Sequence, residues 1–384
     1  MVRADRRVPE PRLEPQQEFR SPVPALPLRI VYSFNKKGYE ADYWHREIAA
    51  ASDERCAFLP FNHDRYLDAN LYVRAQLLDH LYFARHPGLM RMYDDLRTAL
   101  RDHRADALIV DNCFPYHPDF LRTVPVYKVL RTTDGPLTAY DRDFAYLHAY
   151  DHVLYHSPAY SSDMGMAEKL RYCGAKRADF VPLGLFDAAF DAAKTEETIL
   201  AGDRDVEIVF IGALYPGKMP LMAKVKKAFG RRCRIHGMAN AKKNLYFNFK
   251  YGFPGWVAPL PFRDVVPLYQ RSRIGFNAHN RGDYTVGSYR LFDLPGNGVM
   301  QISDGGKHLR EFFEVGEEIV GYESADDLVE KLRYYLAHDE ERKRIALNGY
   351  RRVTREYRFK AILRRAGELI LAGMQRGESA SGWK

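Results

Sequence analysis

Two stretches in the second half of the chain carry the residue types that chemistry on a phosphate requires. The first runs Tyr284-Thr285-Val286-Gly287-Ser288-Tyr289-Arg290-Leu291-Phe292-Asp293, then Gly296-Asn297-Gly298-Val299-Met300-Gln301-Ile302. It reads as a glycine-bearing loop, a short helix, a glycine break and a buried strand. Gly287 permits close backbone approach, Ser288 is placed to cap the helix, and the helix's first N–H groups and dipole favour a diphosphate. Arg290 in the first turn adds a cation with bidentate geometry, and the Asp293 carboxylate offers two acceptors for a ribose diol. The same residues also fit a plainer reading, a capped helix with an i,i+3 surface pair.

The second stretch, Gly212-Ala213-Leu214-Tyr215-Pro216-Gly217-Lys218-Met219, nearly matches the phosphate loop G-x-x-x-x-G-K-[ST]. Met219 replaces the hydroxyl that would hold magnesium. The acidic strand end such a loop needs occurs only upstream, at Asp111, in the other half. What remains is a glycine turn near an anion with Lys218 as a single positive charge, or a tight turn with a solvated lysine. His279 and Arg281, in the loop Phe276-Asn277-Ala278-His279-Asn280-Arg281, are within reach of the same anion. Gly237-Met238 is placed to border a base or sugar.

In the first half, three loops follow apolar runs: Phe34 to Tyr39, Asp111 to His117, and Arg131 to Gly135. Transfer to a hydroxyl requires a proton acceptor, and Asp111, His117 and Asp134 are the candidates for that base. The sequence does not choose among them, and each also fits a structural role.

These loops need rigid supports. Apolar runs at 28–34, 107–111, 126–130 and 152–155, then at 206–211, 233–236, 274–277, 299–302 and 318–320, alternate with helical spacings, near 67–83 and 89–103 for example. A Ser324-x-x-Asp327 box opens the best marked helix. Alternating βα units predict an α/β protein of two Rossmann-like, doubly wound parallel domains facing a central cleft, over 28–190 and 205–354, joined near 187–204. Ligands of such sheets bind beyond the carboxyl ends of the strands, where all these loops fall.

At 384 residues the chain is long enough for two cores, and 46% hydrophobic with 28% charged residues is a globular composition. Residues 1–27, proline-rich with Arg3, Arg6 and Arg7, read as a flexible basic arm without the apolar run of a signal peptide. No stretch approaches the ~18 apolar residues of a membrane span. Cys56, Cys113, Cys173 and Cys233 show no metal or disulfide spacing, so no metal is expected and a cytoplasmic protein is. The net charge of +8 comes from 58 basic residues interleaved with 50 acidic ones, which suits an anionic small ligand or an acidic surface rather than nucleic acid. A peripheral membrane contact stays open.

The stretch from Val206 to Val353 resembles the CgeB-like glycosyltransferases, a bacterial branch of the group 1 superfamily with the GT-B fold. Ser288-Tyr289-Arg290-Leu291-Phe292-Asp293 is similar to that family's S-x-R-x-F-E, and the likeness continues through Glu311-Phe312-Phe313 to Asn348-Gly349-Tyr350-Arg351-Arg352-Val353. In the first half it is limited to the strand rhythm and Val181-Pro182-Leu183-Gly184. The resemblance implies a nucleotide-diphosphate sugar as donor substrate, held by the second domain without a metal or other cofactor. The backbone N–H groups of Val286, Gly287 and Ser288 would hold the diphosphate. Related enzymes carry an E-x7-E motif, which falls here on Thr285 and Asp293: Asp293 keeps the ribose carboxylate on a shorter arm, while Thr285 has none. It also implies a helix over 355–373 crossing back to the first domain. The acceptor, a glycan, small molecule or protein, is unspecified. Two other readings are a non-catalytic sugar-nucleotide-binding or surface-layer assembly protein, and a P-loop-like phosphotransferase using Gly212 to Lys218.

Overall fold

A computed structural model describes residues 25–67, 77–112, 114–133, 142–161, 163–279 and 286–380. Its first sheet is β1 (Leu28–Phe34), β2 (Cys56–Asn62), β3 (Ala107–Asp111), β4 (Tyr127–Thr132), β5 (His152–Tyr155) and β6 (Ala178–Phe180). All pairings are parallel, in the order β2-β1-β3-β4-β5-β6. The second sheet holds β7 (Val206–Ile211), β8 (Cys233–His236), β9 (Ser272–Asn277), β10 (Met300–Ser303) and β11 (Val320–Gly321), also parallel, in the order β11-β10-β9-β7-β8. The inner strands, buried on both faces, read as continuous apolar runs, which is why alternation with helices marks the fold. The expected fold class is the one observed.

Each sheet reverses its order once, between β1 and β3 and between β7 and β9. Those two crevices are where a doubly wound sheet opens to a ligand. Ser324 caps the helix Ala325–Ala337 as its spacing predicts, its Oγ accepting from the Asp327 N–H at 3.1 Å. The segment between the sheets is not a plain linker, since Glu196–Ala201 forms a helix with a capping box at Thr195.

The chain crosses between the halves twice, side by side. Leu185 donates its N–H to Tyr357 O and accepts from Phe359 N–H, both at 2.7 Å. Gly184, at φ +88°, allows this approach, because a Cβ there would lie 3.0 Å from Tyr357 O. The helix Phe359–Ala380 then lies on the first sheet, its Ile362, Leu363, Ala366 and Ile370 sharing one core with Leu28, Ile30 and Cys56. Cys56, Cys173 and Cys233 are free thiols, and Cys113 lies outside the described residues.

Candidate functional site

The second crevice is filled by one guanidinium. Arg290 opens the helix Arg290–Gly296 and reaches back between the ends of β7 and β9. Its Nε donates to Ile211 O at 2.5 Å, its Nη1 donates to Asn277 Oδ1, and its Cζ lies 4.7 Å from the centre of the Phe210 ring. Gly212 makes the passage possible, since a Cβ at that position would lie 1.8 Å from Arg290 Nη2.

A polar chain fixes this arrangement from the far side. Asp304, just after β10, accepts from the His279 backbone N–H at 2.8 Å and from its ring Nδ1 at 2.6 Å. That sets the tautomer, so the His279 Nε2 accepts from Asn277 Nδ2 at 3.2 Å. Asn277 Nδ2 also donates to Ser288 Oγ at 3.2 Å, and Tyr322 donates to Asn277 O at 3.1 Å. His279 thus supports Arg290 through Asn277.

Ser288 does not cap the helix as its position suggests. Tyr289 occupies the N-cap, in helical conformation and with no side-chain cap bond, while the Ser288 hydroxyl is held by Asn277. The consequence is a bare loop end: the backbone N–H groups of Val286, Gly287 and Ser288 make no hydrogen bond among the described residues. Gly287, at φ +121°, lies against the first domain, where a Cβ would meet His156 O at 2.7 Å.

Lys218 is 7% exposed, yet its ammonium has no hydrogen bond or ion pair among the described residues. Burial pulls its pKa down to about 7, with the Arg290 charge adding to the effect and Asp304 opposing it. Lys218 is buried and Arg290 partly buried, and neither makes an ion pair with the nearby Asp293 and Asp304 carboxylates among the described residues, so an anionic ligand would meet both cations unpaired. The Asp293 side chain, half-buried and with no hydrogen bond to its carboxylate among the described residues, is pushed by burial up to about 7 despite the opposing Arg290. An unpaired carboxylate, an unpaired ammonium, a guanidinium and three unused N–H groups therefore sit around one crevice.

The loop from Gly212 to Lys218 satisfies two of its own N–H groups. The Gly212 N–H is taken by His236 O and that of Lys218 by Tyr215 O, both at 3.0 Å. Met219 is buried in the core. Gly237 packs on this loop, since a Cβ there would lie 2.5 Å from Gly212 O, while Met238 points outward at 75% exposure.

In the first domain, the three proposed bases part company. His117 caps the helix Pro118–Arg122: its Nδ1 accepts from the Asp119 N–H at 3.1 Å, and its Nε2 lies 3.2 Å from Asp79. The ring stacks on Tyr82 with centroids 3.9 Å apart, and burial lowers its pKa. Both nitrogens are thus engaged away from the second-domain crevice. Asp111 ends β3 at the first crevice, buried with Tyr32 and Arg131. Arg131 donates to Tyr32 Oη at 2.7 Å and to Leu183 O at 3.2 Å. Asp134, like Arg281 and Thr285, lies outside the described residues.

Two residues not singled out from sequence join the site. Tyr289 extends from the second domain towards Arg131, Asp111 and Tyr32, its hydroxyl buried without a hydrogen bond. His156 follows β5 and faces Gly287; its Nδ1 donates to Thr132 O at 2.6 Å, which places the lone pair on Nε2. The rule that ligands sit after strands would have found His156. No local pattern marks Tyr289, which is a site residue only because the domains meet.

Residues 219–367 match the family model described as "Glycosyl transferase-like", less than half of the chain. No curated protein matches the sequence. Solved structures resemble it over nearly their whole length. A sucrose-phosphate synthase from Thermosynechococcus elongatus is 13% identical with a TM-score of 0.58, covering 92% of this chain and 100% of that one. Anabaena Alr3699/HepE in complex with UDP-glucose is 12% identical with a TM-score of 0.59, covering 91% and 100%. A glycosyltransferase from Rickettsia africae is 12% identical with a TM-score of 0.56, covering 90% and 98%. The likeness establishes the fold as GT-B.

Proposed function

We propose that this protein transfers a glycosyl group from a nucleotide-diphosphate sugar to an acceptor, without a metal ion, as a member of the CgeB-like branch. The observation that carries the reading is Lys218, a buried lysine whose ammonium makes no hydrogen bond or ion pair among the described residues, beside Arg290 in the second-domain crevice. A diphosphate supplies the missing charge. The N–H groups of Val286, Gly287 and Ser288 would bind its oxygens, Lys218 and Arg290 would neutralise the charge that grows on the leaving group, and Asp293 would accept from the ribose hydroxyls. The UDP-glucose bound to HepE supports a uridine nucleotide as the first donor to try.

As the bond from the anomeric carbon to the diphosphate oxygen breaks and the acceptor oxygen bonds to that carbon, negative charge moves onto the diphosphate and the acceptor's proton passes to a base. Asp111, at the end of β3, or His156, facing Gly287, would take that proton. Purified protein incubated with UDP-glucose, UDP-N-acetylglucosamine, GDP-mannose and dTDP-glucose in EDTA tests the proposal by release of the nucleoside diphosphate. Release from one donor, lost in Lys218→Met, is expected. Binding of a donor with no hydrolysis or transfer across acceptors would instead identify a non-catalytic binder.

A further inference from the structure

The edge of the second sheet carries a surface the donor site does not use. Between Ile208 and Arg263 the sequence has eleven Lys or Arg and no Asp or Glu, although the chain has 50 acidic residues in all. The helix Ala241–Tyr251 lies in this stretch, directly after the edge strand β8. Asn244 and Phe247 are its buried positions, and they turn Leu245, Tyr246 and Phe249 to solvent. Phe249 is 88% exposed. Lys242, Lys243 and Lys250 flank these side chains and make no ion pair among the described residues. The acids that approach this region from elsewhere, Glu207 and Asp326, pair with Arg232 and Lys224.

The loop after the helix extends the surface and is held rigidly. Asn244 donates to Val257 O at 3.0 Å and accepts from its N–H at 2.8 Å, while Asn248 donates to Phe253 O and Gly255 O. Trp256, 63% exposed, is therefore fixed outward rather than tucked against the core. Met238 extends the apolar face from the loop after β8, its carbonyl accepting from Lys243 Nζ at 3.2 Å.

We propose that this face docks the protein on an anionic lipid bilayer, with Phe249, Trp256 and Leu245 entering the headgroup boundary and Lys242, Lys243 and Lys250 meeting lipid phosphates. A surface helix with outward apolar and aromatic residues between lysines is the form that lies in an interface rather than spans it. Among the described residues no helix is long and apolar enough to cross a membrane. Tyr and Trp favour the interface because their rings are apolar with a polar tip, and each lysine near an anionic surface strengthens binding about fivefold. A membrane accommodates aliphatic Leu245 and Met238 beside the rings, whereas a nucleic acid would use only the rings and charges. The docked face adjoins the β7 and β8 loops next to Lys218, so the cleft would open at the bilayer surface.

Co-sedimentation of the full chain with phosphatidylcholine vesicles, with and without phosphatidylglycerol, at low and high salt, tests this. Binding to the anionic vesicles alone, weakened by salt, is expected. Both Lys242→Glu/Lys250→Glu and Phe249→Ser/Trp256→Ser should lower partitioning at least about tenfold, with unchanged melting temperature. Anionic-vesicle binding that survives both variants would overturn the proposal and assign the contact to another surface, such as the arm. Indifference to vesicles would also overturn it, whether accompanied by a dimer that Phe249→Ser dissociates or by binding to RNA.

Discussion

The two crevices of this molecule are built by the same topology and filled in opposite ways. In the first domain, the buried Arg131 gives its protons to Tyr32, Pro182 and Leu183, and His117 spends both ring nitrogens on a helix cap and Asp79. In the second, the Lys218 ammonium faces the Tyr215 ring without a hydrogen bond or ion pair, the Asp293 carboxylate accepts no hydrogen bond, and three consecutive N–H groups have no acceptor among the described residues. Buried polar groups in folded proteins are nearly always satisfied. The first crevice is not wholly satisfied either, since Arg131 Nε, Thr132 Oγ1 and Tyr289 Oη are buried without a hydrogen bond, but its guanidinium donates to three oxygens, whereas the Lys218 ammonium donates to none among the described residues. Arg204 sharpens the contrast, since it too is a buried cation of the second domain, yet it donates to Ile199, Tyr269, Ser272 and Asn297 carbonyls.

The sharpest way to break the comparison is to remove one polar side chain from each domain. Arg290→Ala should weaken nucleoside diphosphate binding by about 3 kcal/mol or more, since it deletes a charged contact and releases Asn277. His117→Ala should leave that affinity unchanged and lower stability by about 1 kcal/mol, the cost of a lost cap. Titration calorimetry and chemical denaturation of the two variants separate these effects.

Glu47 offers a test confined to stability. Its Oε1 accepts from the Ala188 N–H at 3.0 Å, its Oε2 is buried without a partner, and burial raises its pKa to about 7. A carboxyl held above its unfolded value stabilises fully below pH ~4.5, and that stability is lost as pH rises through about 7. Glu47→Gln should therefore raise the melting temperature at pH 8, by up to about 3 kcal/mol of stability, and do little at pH 4. Equal melting shifts at both pH values would contradict this.

Gly212→Ala gives an intermediate, more local effect. The added methyl would collide with the Arg290 guanidinium, a movable side chain. Diphosphate affinity should fall by about 1–3 kcal/mol with a smaller loss of stability, and a loss of stability without a loss of affinity would place the ligand elsewhere.

The smallest signal is a proton. Lys218 and Asp293 both titrate near 7 in the free protein. A bound diphosphate favours charged Lys218, and a bound ribose favours ionised Asp293. Binding should take up protons above pH 7 and release them below, measured by calorimetry in buffers of different ionisation enthalpy. Lys218→Met should erase the uptake and Asp293→Asn the release.

What the sequence disclosed follows the same division. Seven of the strands it marks have apolar runs buried on both faces, and β1, β3, β5, β7 and β8 begin and end where those runs do. The strand β2 escapes because it is an edge strand interrupted by Pro60, and β6 because it is three residues long at the other edge. Arg290, Asp293 and Lys218 stand out because glycine, cation and carboxylate lie close together along the chain. Their partners Asn277 and Asp304 come from separate strand ends, and Tyr289 and His156 enter through the meeting of two domains, which no local pattern records. Ser288 leaves the cap for a definite reason: the hydroxyl that could cap the helix accepts from Asn277 across the crevice.

The central claim is that Lys218, a buried lysine with an unpaired ammonium, binds a diphosphate. Isothermal titration of wild type and Lys218→Met with UDP, GDP, dTDP and ADP in EDTA tests it most directly, with the melting temperature of each free protein recorded alongside. The account predicts that wild type binds one diphosphate without metal, and that Lys218→Met loses that binding by about 1.5–3 kcal/mol while melting higher when free. Undiminished binding in Lys218→Met, or binding that appears only with ATP and magnesium, would contradict it.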